Sequence, residues 1–413
     1  MEIQFPCCAG LDVHKDTVVA CVRRQLDGAV QRDVQSFTTT THGLLALSEW
    51  LTEHGVTHVA MEATGVYWKP VWHILEEGFE LILANAAHIK NVPGRKTDVN
   101  DATWIADLLA HGLIRGSFVP PTQIQDLRTL MRTRKQLVRE RAQHVQRLQK
   151  TFEDANLKIA SVVTDITGVS GRAIIKSLIG GETKPTALLA VTTGRLKAPK
   201  DTLLKALQGR VRTPHRFLLK LHLEQIEGLE KSIASIDDEV GVLLDPFRAR
   251  VERLKTMPGI SDVAAQVIVS EIGLDMTRFP TAAHLISWAG LCPRNDESAG
   301  KRRSTRLRNG APWLKAMLNQ AAWAAARTKT SYLRAQFLRL KPRRGPNKAI
   351  MAVAASMLTA AYYMLRDDVD YLDLGFDYFD RMDREKAAQR LVRKLAKLGY
   401  EAVIKEVSPT ASA

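Results

Sequence analysis

Short apolar bursts dominate the first forty positions. "CCAGLDV", "TVVACVRR" and "VQSFTT" are rich in β-branched and small apolar residues and follow one another closely, which predicts a meander of three strands. The period then changes. "GLLALSEWLTEHG" gathers its apolar residues on one helical face and closes on Gly55, an amphipathic helix with a glycine stop. "VTHVAMEA" reads as a short strand, "VYWKPVWHILEEG" as a helix and "FELILAN" as another strand; "KTDVNDATWIADLLAHG", residues 96–112, is a helix that opens on acids and continues apolar. From Ile124 the residues Ile124, Met131, Val138, Val145 and Phe152 recur every seven positions. A cleaner heptad runs through Leu219, Ile226, Ile233 and Val240, with His222, Leu229, Ile236 and Leu243 three positions later, until Pro246. Such a repeat predicts a coiled coil, and it equally suits a hairpin in which the two segments pack on each other within one chain. "GETKPTALLAVTTGRLKAPKD", between them, reads as short helices and loops.

Strand, strand, strand, helix, strand, helix, strand, helix is the element order of a ribonuclease-H-like fold. The chain therefore reads as α/β plus α. Residues 1–120 form a ribonuclease-H-like domain, 121–250 a helical, coiled-coil and dimerisation region, 251–366 a mainly helical C-terminal domain, and 367–413 a tail. The tail reads as an acidic linker, an amphipathic helix and a short strand, with no chemistry assigned to it.

That order places two acids at strand ends, Asp12 in "AGLDVHK" and Glu62 in "AMEATGVYW". In a sheet of this kind the first and fourth strands are neighbours and the last helix packs against them. Asp98 and Asp101, one helical turn apart at the head of that helix, would then join Asp12 and Glu62. Taken alone, Asp98 suits an ordinary helix cap and Asp101 a first-turn acid favoured by the helix dipole. Taken together, four crowded carboxylates call for a cation. Hard oxygen donors select magnesium, with manganese as a stand-in, and paired ions roughly 4 Å apart can activate the oxygens of a phosphodiester.

Charge narrows the partner. The 413 residues carry a net charge of +15, and a pI of about 9.7 points to a polyanion, nucleic acid ahead of an anionic membrane. "MEIQFPCCAG" has neither the basic start nor the long apolar run of a signal peptide. The apolar run Ile350–Leu365 is short for a membrane span and reads as a buried helix, so no membrane is expected. Cys7, Cys8, Cys21 and Cys292 show no paired spacing; this supports neither zinc nor disulfides and fits a reducing cytoplasm.

A second constellation lies in "CPRNDESAGKRRSTRLRNGAPWLK", residues 292–315. Arg294, Lys301, Arg302, Arg303, Arg306, Arg308 and Lys315 surround Ser298 in sequence, with Ser304 close by. The plain reading is a solvated basic loop with a turn serine. Cations crowding a hydroxyl also stabilise a pentavalent phosphate and favour the ionised nucleophile. No histidine is near in sequence, so a protease-like triad has no local support. Arg343 and Arg344, in "LRLKPRRGPNK", read as a phosphate-contacting basic turn. "MPGISDVAAQVIVSEIG" has the turn-glycine-helix pattern of a helix–hairpin–helix, or of a tight turn before a core helix.

"GLDVHK", "MEATGVYW", "KTDVNDA", "MPGI" with "SEIG", "RFPTAAHLISWAGLCP", "ESAGKRR" and "GAPWLK" together resemble the DEDD transposases of the bacterial insertion-sequence one-ten family. The resemblance runs in order over nearly the whole chain. It implies a RuvC-like domain whose acidic tetrad is Asp12, Glu62, Asp98 and Asp101, a coiled coil, and a C-terminal transposase domain whose nucleophilic serine is Ser298. It further implies recombination between donor and target DNA guided by a structured non-coding bridge RNA, in a homodimer or tetramer, in the bacterial cytoplasm at the nucleoid. Two other functions fit the residues less fully. A junction-resolving RuvC-like endonuclease would cut with metal-activated water and leave no covalent adduct. A non-catalytic nucleic-acid scaffold would have no need of four acids.

Overall fold

The computed structural model describes residues 3–26, 28–63, 65–85, 89, 101–193, 198–293, 296–298, 300–304, 306–307 and 310–404; side chains are described throughout these except at 296–298 and 302–304. Asp98, Arg294 and Arg308 lie outside the described residues. The chain divides into two compact units, Met1–Val119 and Pro120–Ala413.

In the first unit the meander forms as the apolar bursts predict: β1 (Cys7–Val13), β2 (Thr17–Leu26) and β3 (Ala29–Thr38), each antiparallel to the next. Then come α1 (Thr41–Glu53), β4 (His58–Glu62), α2 (Trp68–Leu75), β5 (Glu80–Ala84) and α3 (Asp101–Ala110). The described strands make one sheet in the order β3-β2-β1-β4-β5. Short breaks permit only hairpins, whereas the helical connections carry β4 and β5 across to lie parallel with β1.

Alternation along β1 sets the layers. Leu11 and Val13 join Val18, Val22, Val59 and Met61 of the sheet and Leu44, Leu51, Val71 and Leu75 of α1 and α2 in one core. Cys8 turns to the other face, where Ala60 and Ala84 pack with Ile105, Leu108 and Leu109 of α3. Both faces of β1 are covered, so it reads as a nearly continuous apolar run. Gly10 is required here for lack of space: a Cβ would overlap the α3 backbone at Ala102 and Ala106.

In the second unit α4 (Thr122–Asp154) is followed by the short helices α5 (Ile159–Val162), α6 (Val169–Ile179), α7 (Pro185–Ala190) and α8 (Lys200–Ala206), then by α9 (Thr213–Leu243). The two heptad segments pair with each other. Arg134 Nη2 donates to Asp237 Oδ2 at 3.0 Å, Arg141 Nε to Glu230 Oε1 at 2.8 Å, and His215 Nε2 lies 2.7 Å from Asp154 Oδ2. Numbers rise on α4 as they fall on α9, so this is an antiparallel hairpin within the chain, the second of the two arrangements that the heptads allow. Its end near the short helices is well packed, with Leu148, Phe152, Leu219, Leu223 and Ile226 buried. Towards its middle Val138, Val145, Leu229, Ile233 and Ile236 are only half-buried.

The remainder comprises α10 (Arg248–Lys255), α11 (Asp262–Ile272), α12 (Ala282–Ala289), a hairpin of β6 (Asp296–Ser298) and β7 (Lys301–Ser304), α13 (Pro312–Ala325), α14 (Tyr332–Arg344), α15 (Pro346–Asp367), α16 (Tyr378–Met382) and α17 (Arg384–Lys397). Among the described residues α15 is the helix long and apolar enough to cross a membrane, and 56% of its apolar window is buried within the protein. Ile350, Val353, Met357, Leu358 and Leu365 lie in that buried face, as expected of a core helix.

The "MPGI" turn is accounted for by packing. Gly259, at φ +87°, lies so close to α13 that a Cβ would overlap the Ala321 carbonyl. Ser261 caps α11 by accepting from the Ala264 amide at 3.3 Å. Asp262 opens the helix and is paired with Lys255, so a carboxylate already occupies the end at which a phosphate would dock. In the tail, residues 401–404 are irregular where the sequence predicts a strand, and the rest of that segment lies outside the described residues.

Candidate active site

Asp12 is the penultimate residue of β1 and Glu62 the last of β4. The parallel register sets Leu11 beside Met61, and both point into the core shared with α1 and α2. Their successors, Asp12 and Glu62, therefore turn to the opposite face, that of α3. The direction of α3 brings a third acid to the same place. Cys8 Sγ approaches the Ala106 carbonyl at 3.6 Å and Gly10 abuts Ala102. As β1 advances α3 runs backwards, and its first residue, Asp101, comes to the carboxyl end of β1.

Asp12 is 22% exposed, and its Oδ2 lies 3.2 Å from His14 Nε2. Glu62 and Asp101 are half-buried. In donor chemistry the three carboxylates suit a hard divalent cation. Among the described residues, however, no three His, Cys, Asp or Glu side chains are drawn together closely enough to hold one.

Besides its apolar packing, α3 is tied to the meander by an ion cluster that the sequence pattern does not announce. Arg23 of β2, 3% exposed, donates from Nε to Asp107 Oδ1 at 2.9 Å, and Arg32 of β3 reaches the same carboxylate at 3.0 Å. The signal was an arginine inside the apolar strand "VVACVRR", because a buried guanidinium needs an acid. Asp107→Ala is expected to lower unfolding stability by about 3 kcal/mol, the cost of leaving a buried charge unpaired. Arg23 Nη1 already lacks a partner among the described residues. The shift of the urea midpoint measures this, and a change below about 1 kcal/mol would mean that Arg23 is solvated.

The segment around Ser298 is a hairpin, which corrects the basic loop that the sequence suggests. Ser298 stands opposite Lys301 and Glu297 opposite Arg302, with an irregularity between Asp296 and Glu297; a bridge between Pro293 and Leu307 prolongs the pairing. Gly300 sits in the turn at φ +73°, which glycine adopts without strain. Ser298 thus ends β6 beside the turn, while Arg302, Arg303 and Ser304 belong to β7. Lys301 and Arg306 are exposed. Arg343 and Arg344 are exposed in the last turn of α14, where cations also complement the helix dipole. The acids lie in the first unit and the serine hairpin in the second.

The sheet-end carboxylates lie in one unit and the serine hairpin in the other, and each unit is matched by a family model. A family model of DEDD transposases matches residues 9–156, and a second, for transposases of the IS116/IS110/IS902 family, matches residues 251–338. Together they cover more than half of the chain. The chain is also 30% identical over 159 residues to the "Insertion element IS110 uncharacterized 43.6 kDa protein" of Streptomyces coelicolor. That match takes in 35% of this chain and 38% of the relative's length. The chain belongs to the IS110 family of transposases. A DEDD transposase domain implies a divalent metal ion in general.

Proposed function

We propose that this transposase is an RNA-guided DNA recombinase of a bacterial insertion sequence, cutting and rejoining donor and target DNA. In this reading residues 1–120 are a ribonuclease-H-like, RuvC-like domain and 121–250 the helical region through which subunits assemble. Residues 251–366 carry the nucleophile, and 367–413 form a tail. The observation that supports the proposal is the placement of Asp12 and Glu62 at the carboxyl ends of two adjacent parallel strands, with Asp101 at the start of the helix that packs on that face.

Asp12, Glu62, Asp98 and Asp101 are assigned as ligands for magnesium, which manganese can replace. The bound ion would polarise phosphodiester oxygens. Ser298 supplies the attacking hydroxyl, which loses its proton as it bonds to phosphorus, and the displaced sugar oxygen gains one. Arg294, Lys301, Arg302, Arg303, Arg306 and Arg308 favour the ionised serine and the extra negative charge at phosphorus. Arg343 and Arg344 hold backbone phosphate.

A net charge of +15 supports nucleic-acid partners. Similarity to the family extends these to a structured non-coding guide RNA and to a homodimer or tetramer working at the nucleoid in the cytoplasm. The protein expressed with its flanking element is expected to co-purify with one discrete RNA from that flank, and with that RNA to join donor to target. Only heterogeneous cellular RNA, with joining unaffected by nuclease treatment, would remove the guide from this account.

A further inference from the structure

We infer that Trp313 and the cationic face of α4 beside it form a subsite for one unpaired nucleotide, the indole stacking on the base while Lys135 and Arg139 take the adjoining phosphate. The inference rests on the nucleic-acid reading above and adds a place and a binding mode to it.

Arg128, Arg132, Lys135 and Arg139 are spaced four, three and four residues apart, so they form one stripe along α4. The first two are committed to structure. Arg128 donates to the Ser270 and Glu271 carbonyls at 3.1 and 2.7 Å. Arg132 forks onto both Glu271 carboxylate oxygens at 2.8 Å each, and that carboxylate is 2% exposed. Together they dock α4 on α11.

The stripe continues past the point where neutralisation stops. Among the described residues neither Lys135 nor Arg139 has a carboxylate within ion-pair distance, although both line the same recess as Glu271. Trp313 lies on the first turn of α13, half-buried. The Arg139 guanidinium carbon is 5.2 Å from its ring centroid and that of Arg132 is 5.9 Å away. The cavity at this junction, bordered by Met131, Val267 and Met317, measures about 20 Å³. That is room for a single water, too little for a small-molecule pocket, so a ligand at Trp313 has to take the place of the exposed Arg139 at the ring. The Trp313 N–H makes no hydrogen bond among the described residues.

A half-open indole with two unneutralised cations at its edge has the make-up of a single-strand stacking platform, on which each base offers a π-face and each phosphate a charge. Arg139 is exposed and lies on the ring as a surface cation–π contact. A base stacks on an aromatic ring more strongly than an exposed guanidinium does. The base can therefore displace Arg139, whose freed guanidinium then reaches the phosphate. Nothing in this arrangement reads the sugar, so RNA and DNA strands are both candidates.

The test uses full-length protein and fluorescent oligonucleotides of about 12 nucleotides: oligo-U, oligo-dT and an abasic backbone of equal length. Trp313→Leu is expected to weaken oligo-U, oligo-dT or both by about tenfold and to leave the abasic strand unchanged; the strand affected identifies the sugar. Trp313→Phe should retain most of the affinity. Arg139→Gln should weaken all strands that bind, the abasic one included. Independently of variant folding, photocrosslinking of wild-type protein to 5-iodouracil oligonucleotides should map to the peptide containing Trp313. The subsite is overturned by unchanged binding in Trp313→Leu, by an equal loss on the abasic strand, or by crosslinks that avoid that peptide. Wild-type protein that binds none of the strands would sink the nucleic-acid reading itself, whereas binding independent of Trp313 removes only the subsite.

Discussion

Ser298→Ala is expected to bind RNA and DNA as the wild type does and to give no recombinant product. A serine nucleophile keeps the cut phosphate as a phosphoserine ester, so the bond energy is conserved for rejoining and no external energy source is needed. Alanine has no oxygen to form that ester, and the cations of the hairpin cannot replace one. Removing the attacking group of a covalent mechanism costs far more than removing a binding contact, and the expected fall is at least about a thousandfold. Ser298→Cys should keep weak attack, because a thiolate is a competent nucleophile. Ser304→Ala, further along the same hairpin, should lose little, being a phosphate contact at most. Plasmid recombination counts, read beside electrophoretic binding assays, separate the chemical defect from a binding defect. Full recombination by Ser298→Ala, or equal losses in the two serine variants, would remove Ser298 from the chemistry.

The second large effect is expected at the acids. Asp12→Asn, Glu62→Gln and Asp101→Asn keep size and shape but remove a negative charge from each proposed ligand. Losing an outer-shell partner of a metal commonly costs 10- to 100-fold, so losing a ligand itself should lower recombination by more than about a hundredfold. Stability without metal should change by less than about 1 kcal/mol, since each substitution keeps the side chain's size at a partly exposed position. Manganese uptake by calorimetry is the direct measurement. Wild-type uptake together with wild-type recombination in all three variants would show that these acids cap and pack rather than bind metal.

The sheet end was legible in the sequence because two periodicities coincide there. Alternation along "CCAGLDV" sends Cys8, Gly10 and Asp12 to one face, and "VTHVAMEA" ends on Glu62 in the same phase. The helix starting near Asp101 was legible from its apolar continuation. Its close seat on the sheet was not, because that depends on Gly10 meeting Ala102 and Ala106 and on Arg23 meeting Asp107, contacts between residues distant in sequence. The heptads showed that two long helices need apolar partners but not which partner. The choice is expressed in pairs such as Arg141 with Glu230, recognisable only once the hairpin has formed.

The hairpin at Ser298 was hidden for a different reason. "ESAGKRRS" shows no alternation of apolar and polar residues, so the strand pattern was absent, and the sole local signal was the glycine before Lys301. At Gly259 the sequence left two readings open, a phosphate turn and a tight turn before a core helix. A glycine before a helix suggests a phosphate turn, yet here it serves close packing against α13, and Asp262 with its Lys255 partner takes the helix start. The Trp313 platform was invisible because its parts, α4 and α13, lie far apart in the chain.

The central claim is a covalent serine–DNA intermediate, and trapping it is the most direct measurement. Wild-type protein would be incubated with labelled donor and target DNA, its RNA and magnesium, quenched in denaturant and run on a denaturing gel, with the modified peptide identified by mass spectrometry. The expected result is a slow-migrating protein–DNA band whose phosphate ester maps to Ser298 and which is missing in Ser298→Ala. Cleaved DNA without any adduct, or an adduct on a different residue, would contradict the account and favour cutting by activated water.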